Sequence, residues 1–144
     1  MSRFRLNRTE KPPVEFDGDL FASLKSPQFS RVDSPRYKYV RWFTLDVYQT
    51  AGNVLVGSIG YRFRGALPNE AEFDDVLTAA SWLALVDALR AWDAWGCVDG
   101  CPDDAAFDSL RTRIREAVEA DWSDLCSDAQ VAMRNRFAVA DVIA

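Results

Sequence analysis

The sequence predicts an α+β fold, in which an antiparallel β-sheet from the N-terminal half packs against two to three C-terminal helices. Apolar residues alternate with polar ones up to Gly65, as in a strand, and recur at helical spacing after it. The charge changes sign at the same point: residues 1–65 carry a net +5 and residues 66–144 a net −10. A length of 144 residues is typical of one domain. We therefore predict a single domain, residues 1–144, with a basic β-rich half and an acidic helical half.

The N-terminal segment is predicted to contain short strands. Residues 3–6 alternate charged and apolar side chains, and the two prolines within residues 11–13 are expected to break this strand. Residues 14–16 predict a further strand that ends at the Asp-Gly turn signal following it. Residues 19–24 fit either a strand or a helical turn, and the pattern does not decide between them.

The strongest strand pattern covers residues 36–50, which are rich in aromatic and β-branched side chains. It follows residues 26–35, where two prolines and three serines predict a loop. The turn residues 51–53 separate it from a second strand at residues 54–64. Two such strands around a short Gly-containing turn predict an antiparallel hairpin.

Helical spacing begins at Asn69. Asn69 and Glu72 are expected to cap a helix with a wide apolar arc, which continues to Trp95 and ends at Gly96. Residues 97–102 are predicted to form a tight loop.

A second helix is expected to begin after Asp103 or Asp104, since apolar residues recur at helical spacing from Phe107 to Val118. A third is predicted to begin at Ser127 with its own capping box. Residues 139–144 fit either its last turn or a closing strand.

Several chemistries are excluded by composition. Histidine is absent, which rules out imidazole acid–base catalysis and His-activated Ser or Cys nucleophiles. Cys97, Cys101 and Cys126 fit buried thiols better than a zinc site, which would need Asp99 or Asp103 as a fourth ligand. No catalytic residue, metal or cofactor is predicted, and the oligomeric state stays open.

No apolar segment reaches the roughly 18 residues of a membrane span, and the charged N-terminal residues have no signal-peptide pattern. A cytoplasmic protein without membrane association is expected.

The acidic residues of the C-terminal half divide into two groups. Those near predicted helix starts fit stabilising interactions with the helix dipole: Glu70, Glu72, Asp74, Asp75, Asp103, Asp104 and Asp108. The later ones have no such role, and they predict either a solvated face or a surface for a basic protein partner: Glu116, Glu119, Asp121, Asp124 and Asp128.

The predicted sheet interleaves cations with aromatic rings, a pattern that fits an ordinary half-buried sheet or a grip on single-stranded nucleic acid. The cations for the second interpretation are Arg36, Lys38, Arg41, Arg62 and Arg64. Asp46 is a candidate carboxylate for acid–base chemistry, although an exposed ion pair with Arg41 is the simpler expectation.

Residues 11–20, KPPVEFDGDL, and residues 41–53, RWFTLDVYQTAGN, resemble small uncharacterised bacterial proteins carried on plasmids and integrative elements. The resemblance covers about the first 60 residues and implies no catalytic residue. It implies a context in which short proteins act against host machinery, as anti-CRISPR and anti-restriction proteins do.

The leading hypothesis is a non-enzymatic binding protein, a mobile-element inhibitor that engages a host nucleic-acid-handling complex through its acidic surface. The first alternative is a single-stranded nucleic-acid-binding protein that uses the basic sheet. The second is a small enzyme that depends on carboxylates or thiols.

Overall fold

Five antiparallel strands form one curled sheet, and two helices pack on one of its faces. The computed structural model describes residues 1–26, 32–33, 38–64, 70–97 and 105–137, with side chains for 1–26, 40–64, 70–96 and 112–137. The elements are β1 (Ser2–Arg8), β2 (Lys11–Lys25), β3 (Val32–Asp33), β4 (Lys38–Thr50), β5 (Leu55–Arg64), β6 (Phe73–Ala79), α1 (Trp82–Ala91), a 3₁₀ turn (Ala94–Cys97) and α2 (Ala105–Phe137). The strand order is β1-β2-β4-β5-β6, with the two-residue β3 paired to β4. The predicted α+β class is confirmed.

The predicted hairpin of β4 and β5 is confirmed, with Phe43 opposite Tyr61 and Val47 opposite Gly57. In the connecting turn Asn53 adopts a positive φ of 64°. The Thr50 side chain accepts a hydrogen bond from the Val54 N–H, which helps to close the turn.

The main core lies between the sheet and the helices. Alternate residues of β4 and β5 point to this side, and Leu45, Ile59 and Leu89 are almost completely buried there. At Gly57 an added Cβ would stand 3.5 Å from Leu85 of α1, which is an ordinary van der Waals distance.

A second, smaller cluster fills the inside of the curl, on the sheet face opposite the helices. Leu6, Tyr48 and Val56 are buried there. The curl brings the first strand to the last: the Thr9 N–H donates to the Asp74 carbonyl at 2.8 Å, and the Asp74 N–H donates to Thr9 Oγ1 at 2.8 Å. These two bonds join the ends of the sheet at one point.

The first strand does end before Pro12 and Pro13, at Arg8, but the prolines were not expected to lie in a strand, and the prediction that Gly18 lies in a turn was wrong. All three residues lie within β2. Pairing with β4 starts only at Gly18. The prolines therefore lie where β2 has only β1 as a neighbour, and a proline without an N–H is tolerated along an open edge. Residues 19–24, which fitted two structures, are strand.

Gly18 is required by a close approach of two strands. A Cβ there would lie 3.0 Å from the Thr50 Cα and closer still to the Gln49 carbonyl oxygen, both backbone atoms of β4. We expect Gly18→Ala to lower the free energy of unfolding by about 1–3 kcal/mol, as overpacking does. Urea denaturation followed by circular dichroism measures this. Gly57→Ala is the matched control, expected to change stability by at most about 1 kcal/mol. Equal losses in the two variants would contradict the steric explanation.

The predicted helix over 69–95 was wrong in its first half and at its end, because α1 covers only Trp82–Ala91. Residues 73–79 form strand β6, which pairs with β5, and α1 begins only after Ser81. Ser81 Oγ accepts a hydrogen bond from the Ala84 N–H at 3.2 Å, which caps the helix. Phe73 and Leu77, four residues apart, share one face in a strand and also in a helix, so their apolar spacing fits both. Pairing with the edge of β5 favours the strand over the helix.

The predicted third helix at Ser127 was also wrong, because α2 continues without a break from residue 105 to 137. The Ser127 hydroxyl donates to the Ser123 carbonyl inside this helix instead of capping a new one. No Gly or Pro interrupts the segment. Within the described residues, no helix combines the length and apolarity that crossing a membrane requires.

Some predictions fall outside the described residues. These are most of the loop at 26–35, the cap at Asn69, most of the loop at 97–102, the caps at Asp103 and Asp104, and residues 139–144.

Candidate partner-binding site

Helix α2 presents one face to the core and the rest of its surface to solvent. Ile114, Val118, Leu125, Ala129 and Met133 repeat at intervals of four or seven residues, and each is at most 1% exposed. This spacing is that of an amphipathic helix packed against a sheet. The remaining positions, including those of the predicted acidic surface, are thereby directed outward.

The predicted partner-binding residues lie on these outward positions. Four of their side chains are exposed and Asp121 is partly exposed, and together we call them the acidic face of α2: Glu116, Glu119, Asp121, Asp124 and Asp128. No Lys or Arg occurs between residues 116 and 133. Glu119 forms an ion pair with Arg115, one turn earlier, at 3.1 Å.

Asp121, Asp124 and Asp128 follow one row of the helix at intervals of three and four residues, so their like charges are neighbours. Such repulsion does not help a helix to fold. Contacts within α2 therefore favour Glu119, which pairs with Arg115, more than this row of aspartates.

Among the described residues, the predicted nucleic-acid-binding cations do not form one exposed surface. Arg41 is fully buried, so its assignment as a phosphate contact is corrected. Arg62 is held by Glu72 at 3.1 Å and by Asp74 at 2.7 Å. Arg64 is exposed, whereas Arg36 and the side chain of Lys38 lie outside the described residues.

One part of the sheet does combine cations with an aromatic ring. The Lys25 ammonium lies 5.3 Å, and the Arg64 guanidinium 6.0 Å, from the centre of the Trp42 ring. Trp42 is partly exposed and lies on the sheet face opposite the helices. Both distances fit cation–π contacts.

A buried polar cluster was missed by the sequence interpretation. The Arg41 Nε donates to Glu70 Oε2 at 2.8 Å, and the Tyr61 hydroxyl donates to the same oxygen at 2.5 Å. The side chains of Arg41 and Glu70 are both 0% exposed. Glu70 was interpreted as a helix-dipole acid. The available signal was Arg41 itself, a charge in the apolar row of Phe43 and Leu45, which requires a buried partner.

This cluster shifts the titration of Tyr61. Burial, followed by the nearby Glu70 carboxylate, raises the pKa of Tyr61 well above its usual value. The folded protein therefore keeps the phenol protonated after the unfolded chain has begun to lose that proton, near pH 10. Because the unfolded state then binds fewer protons, the contribution of Tyr61 to stability declines as the pH rises above about 10.

Asp46 does not pair with Arg41, which corrects the expected ion pair. It lies on the opposite face of β4 and accepts a hydrogen bond from Ser23 Oγ at 2.7 Å. Burial, together with the Asp46 carboxylate, raises the pKa of Tyr48 on the same face. Asp46 is therefore held by a hydrogen bond between neighbouring strands, which fits a structural role.

Of the three cysteines, Cys126 lies in the described part with its side chain. It is 1% exposed, and burial raises the pKa of its thiol to about 11. The thiol is therefore protonated at neutral pH. Within the described residues, no group of three or more potential metal ligands is found. Cys101 and the side chain of Cys97 lie outside those residues.

No protein-family model, curated protein or solved structure matches this sequence. We therefore infer function from the geometry and charge of the described residues, together with the sequence pattern.

Proposed function

We propose that this chain is a non-enzymatic binding protein that attaches to a basic surface of a protein partner through the acidic face of α2. The observation that carries the proposal is the run of residues 116–133, which holds five acidic residues and no basic one. Four of the five side chains are exposed. Such a surface attracts a basic partner and raises the rate of encounter by about 10- to 1000-fold.

The sign of these charges favours a partner that ordinarily holds nucleic acid. From Glu116 to Asp128 the helix advances about 18 Å, and the four exposed acids are distributed around its outward half. Nucleic acid also presents a dense series of negative charges. A groove lined with Lys and Arg for phosphates therefore matches this face in sign.

The resemblance of the first 60 residues to proteins of mobile elements adds a context to this match. Together they favour an inhibitor of anti-CRISPR or anti-restriction type, which occupies the nucleic-acid groove of a host complex. Such an inhibitor needs no catalytic residue, because occupying the groove is enough.

The test compares two variants that remove the same charge from different surfaces. The first neutralises Glu116, Glu119, Asp124 and Asp128 on α2 by Gln or Asn. The control neutralises four exposed acids elsewhere: Glu10, Asp19, Glu72 and Asp87. The wild-type chain and both variants are immobilised and exposed to a bacterial lysate. Captured proteins are then identified, and association rates are measured for each.

We expect the wild type and the control to capture the same nucleic-acid-handling protein, and the α2 variant to lose it. The association rate should fall by about tenfold or more. Capture that is equal in all three proteins, or lost equally in both variants, would refute a specific role for this face.

A second candidate function, binding of single-stranded nucleic acid, is favoured by the contacts of Trp42 with Lys25 and Arg64. Rings that stack on bases beside cations that contact phosphates are the usual elements of such a site. The net charge of −5 opposes it at long range.

Fluorescence anisotropy with a labelled oligothymidylate at low salt tests this second function. Lys25→Glu with Arg64→Glu should abolish binding. Arg113→Glu with Arg134→Glu, which makes the same charge change on exposed residues of α2, should weaken it much less. Absence of binding by the wild type at low salt would remove this candidate.

A further inference from the structure

A cavity of about 240 Å³ opens where the end of α1, the 3₁₀ turn and α2 meet, beside the acidic face of α2. Three of its lining residues are tryptophans, namely Trp92, Trp95 and Trp122. Cavities that enclose whole small molecules are usually about 300–1,000 Å³. A volume below that range is better suited to a single side chain.

Two of the three indole N–H groups already donate hydrogen bonds within the protein. Trp122 Nε1 donates to the Leu89 carbonyl at 2.9 Å, and Trp92 Nε1 donates to Asp75 Oδ2 at 2.9 Å. Neither N–H is therefore available to a ligand. What these rings can offer a ligand is their π system, which attracts cations.

The charged groups around the cavity favour a cation at one end. Asp93 and Glu119 are exposed carboxylates that line it. Arg90 also lines it, but its guanidinium donates to Gln130 Oε1 at 3.0 Å and lies near Ser127. Ser127 is eight residues beyond Glu119 along α2, an axial separation of about 12 Å. The Arg90 guanidinium and the Glu119 carboxylate therefore lie well apart along α2.

The chain already places one guanidinium against this wall. The Arg115 guanidinium lies 5.6 Å from the centre of the Trp95 ring, and its Nε is 3.1 Å from Glu119 Oε1. Trp95 and Glu119 both line the cavity, so an indole and a carboxylate here hold a guanidinium together. Glu119 has a second oxygen that can accept from another donor.

We propose that this cavity takes an arginine side chain of the basic partner, which packs against the tryptophans that line it and pairs with Asp93 and Glu119. A guanidinium suits the site better than an ammonium, because it is planar, less strongly hydrated and able to stack on an indole while pairing with a carboxylate. The inference rests on the proposed function, since it names the group by which a basic partner is anchored beside the acidic face of α2.

The test uses the full chain and N-acetyl-arginine amide as the probe, followed by the indole N–H signals in ¹H–¹⁵N NMR spectra. Trp92, Trp95 and Trp122 should shift in a saturable way, whereas Trp42 and Trp82, which do not line this cavity, should not. N-acetyl-citrulline amide, a neutral probe of almost the same shape, should produce no saturable shift. N-acetyl-lysine amide should bind more weakly than the arginine probe.

Glu119→Gln combined with Asp93→Asn should weaken binding of the arginine probe by about tenfold, a fold-change typical of losing two exposed charge contacts. Asp93 Oδ1 accepts a hydrogen bond from the Gly96 backbone N–H, and the Asn side chain retains an oxygen in that position. If the double variant does not fold, Glu119→Gln alone is measured instead. Glu10→Gln with Asp19→Asn, which changes the charge elsewhere, should leave probe binding unchanged.

No shift with the arginine probe, or equal shifts with the citrulline probe, would overturn the proposal. These outcomes are independent of the lysate experiment. A chain that loses its partner when the acidic face is neutralised, yet never binds the arginine probe, would keep the proposed function and lose this inference.

Discussion

Glu70→Ala should lower the free energy of unfolding by about 3–5 kcal/mol, the usual cost of removing one member of a buried ion pair. The reason is the complete burial of both partners, which leaves the Arg41 guanidinium without its carboxylate. The Tyr61 hydroxyl also loses its acceptor. Urea denaturation followed by circular dichroism measures the change.

Glu72→Ala is the matched control, since Glu72 is two residues away and its ion pair with Arg62 is largely exposed. It should cost no more than about 1 kcal/mol. Arg41→Met combined with Glu70→Leu removes both buried charges and should recover much of the stability lost by Glu70→Ala. Equal losses for Glu70→Ala and Glu72→Ala would contradict the role assigned to burial.

Trp122→Ala should lower the free energy of unfolding by about 3–5 kcal/mol, as removal of a buried large aromatic side chain does. Trp122 is 5% exposed, and its ring centre lies 4.9 Å from that of Trp92 and 5.1 Å from that of Phe43. Its loss leaves a cavity where α2 meets the sheet and the end of α1. Far-ultraviolet circular dichroism is the suitable measurement, because Trp122 contributes to the fluorescence of the folded protein.

Val131→Ala in the same helix provides the comparison. Val131 is 55% exposed, and its truncation should change stability by no more than about 0.5 kcal/mol. When Trp122 is removed, the Leu89 carbonyl still accepts a hydrogen bond from the backbone N–H of Trp92. The expected loss of stability therefore comes from packing. A loss for Trp122→Ala close to that for Val131→Ala would show that the aromatic cluster does not hold α2 in place.

The hairpin of β4 and β5 and two helical segments within residues 105–137 could be predicted from the sequence, because alternation and helical spacing are local signals. The acidic residues were singled out because no capping role explained them, and the single helix that carries them was not predicted. By contrast, residues 73–79 carry an ambiguous local pattern, and pairing with β5 determined their structure. Tertiary contacts of this kind override local preference.

The cluster around Glu70 and the tryptophan-lined cavity could not be predicted for a related reason. Arg41 and Glu70 are 29 residues apart, and Trp92 and Trp122 meet only because α1 and α2 pack together. Each residue, taken alone, fitted a simpler role: Glu70 a helix-dipole acid, and Trp92 an apolar position in a helix. Contacts between residues far apart in the sequence produced both the Glu70 cluster and the tryptophan-lined cavity.

The two hydrogen bonds between Thr9 and Asp74 have a consequence for synthesis of the chain. The two residues are 65 positions apart, so at ordinary translation rates Asp74 is added about 3–13 s after Thr9. During this interval Phe4, Leu6 and Phe16 on the nascent chain lack Val76, one of the residues that later cover them. The speed of the ribosome between these positions therefore determines how long this apolar surface is exposed to chaperones and to other nascent chains.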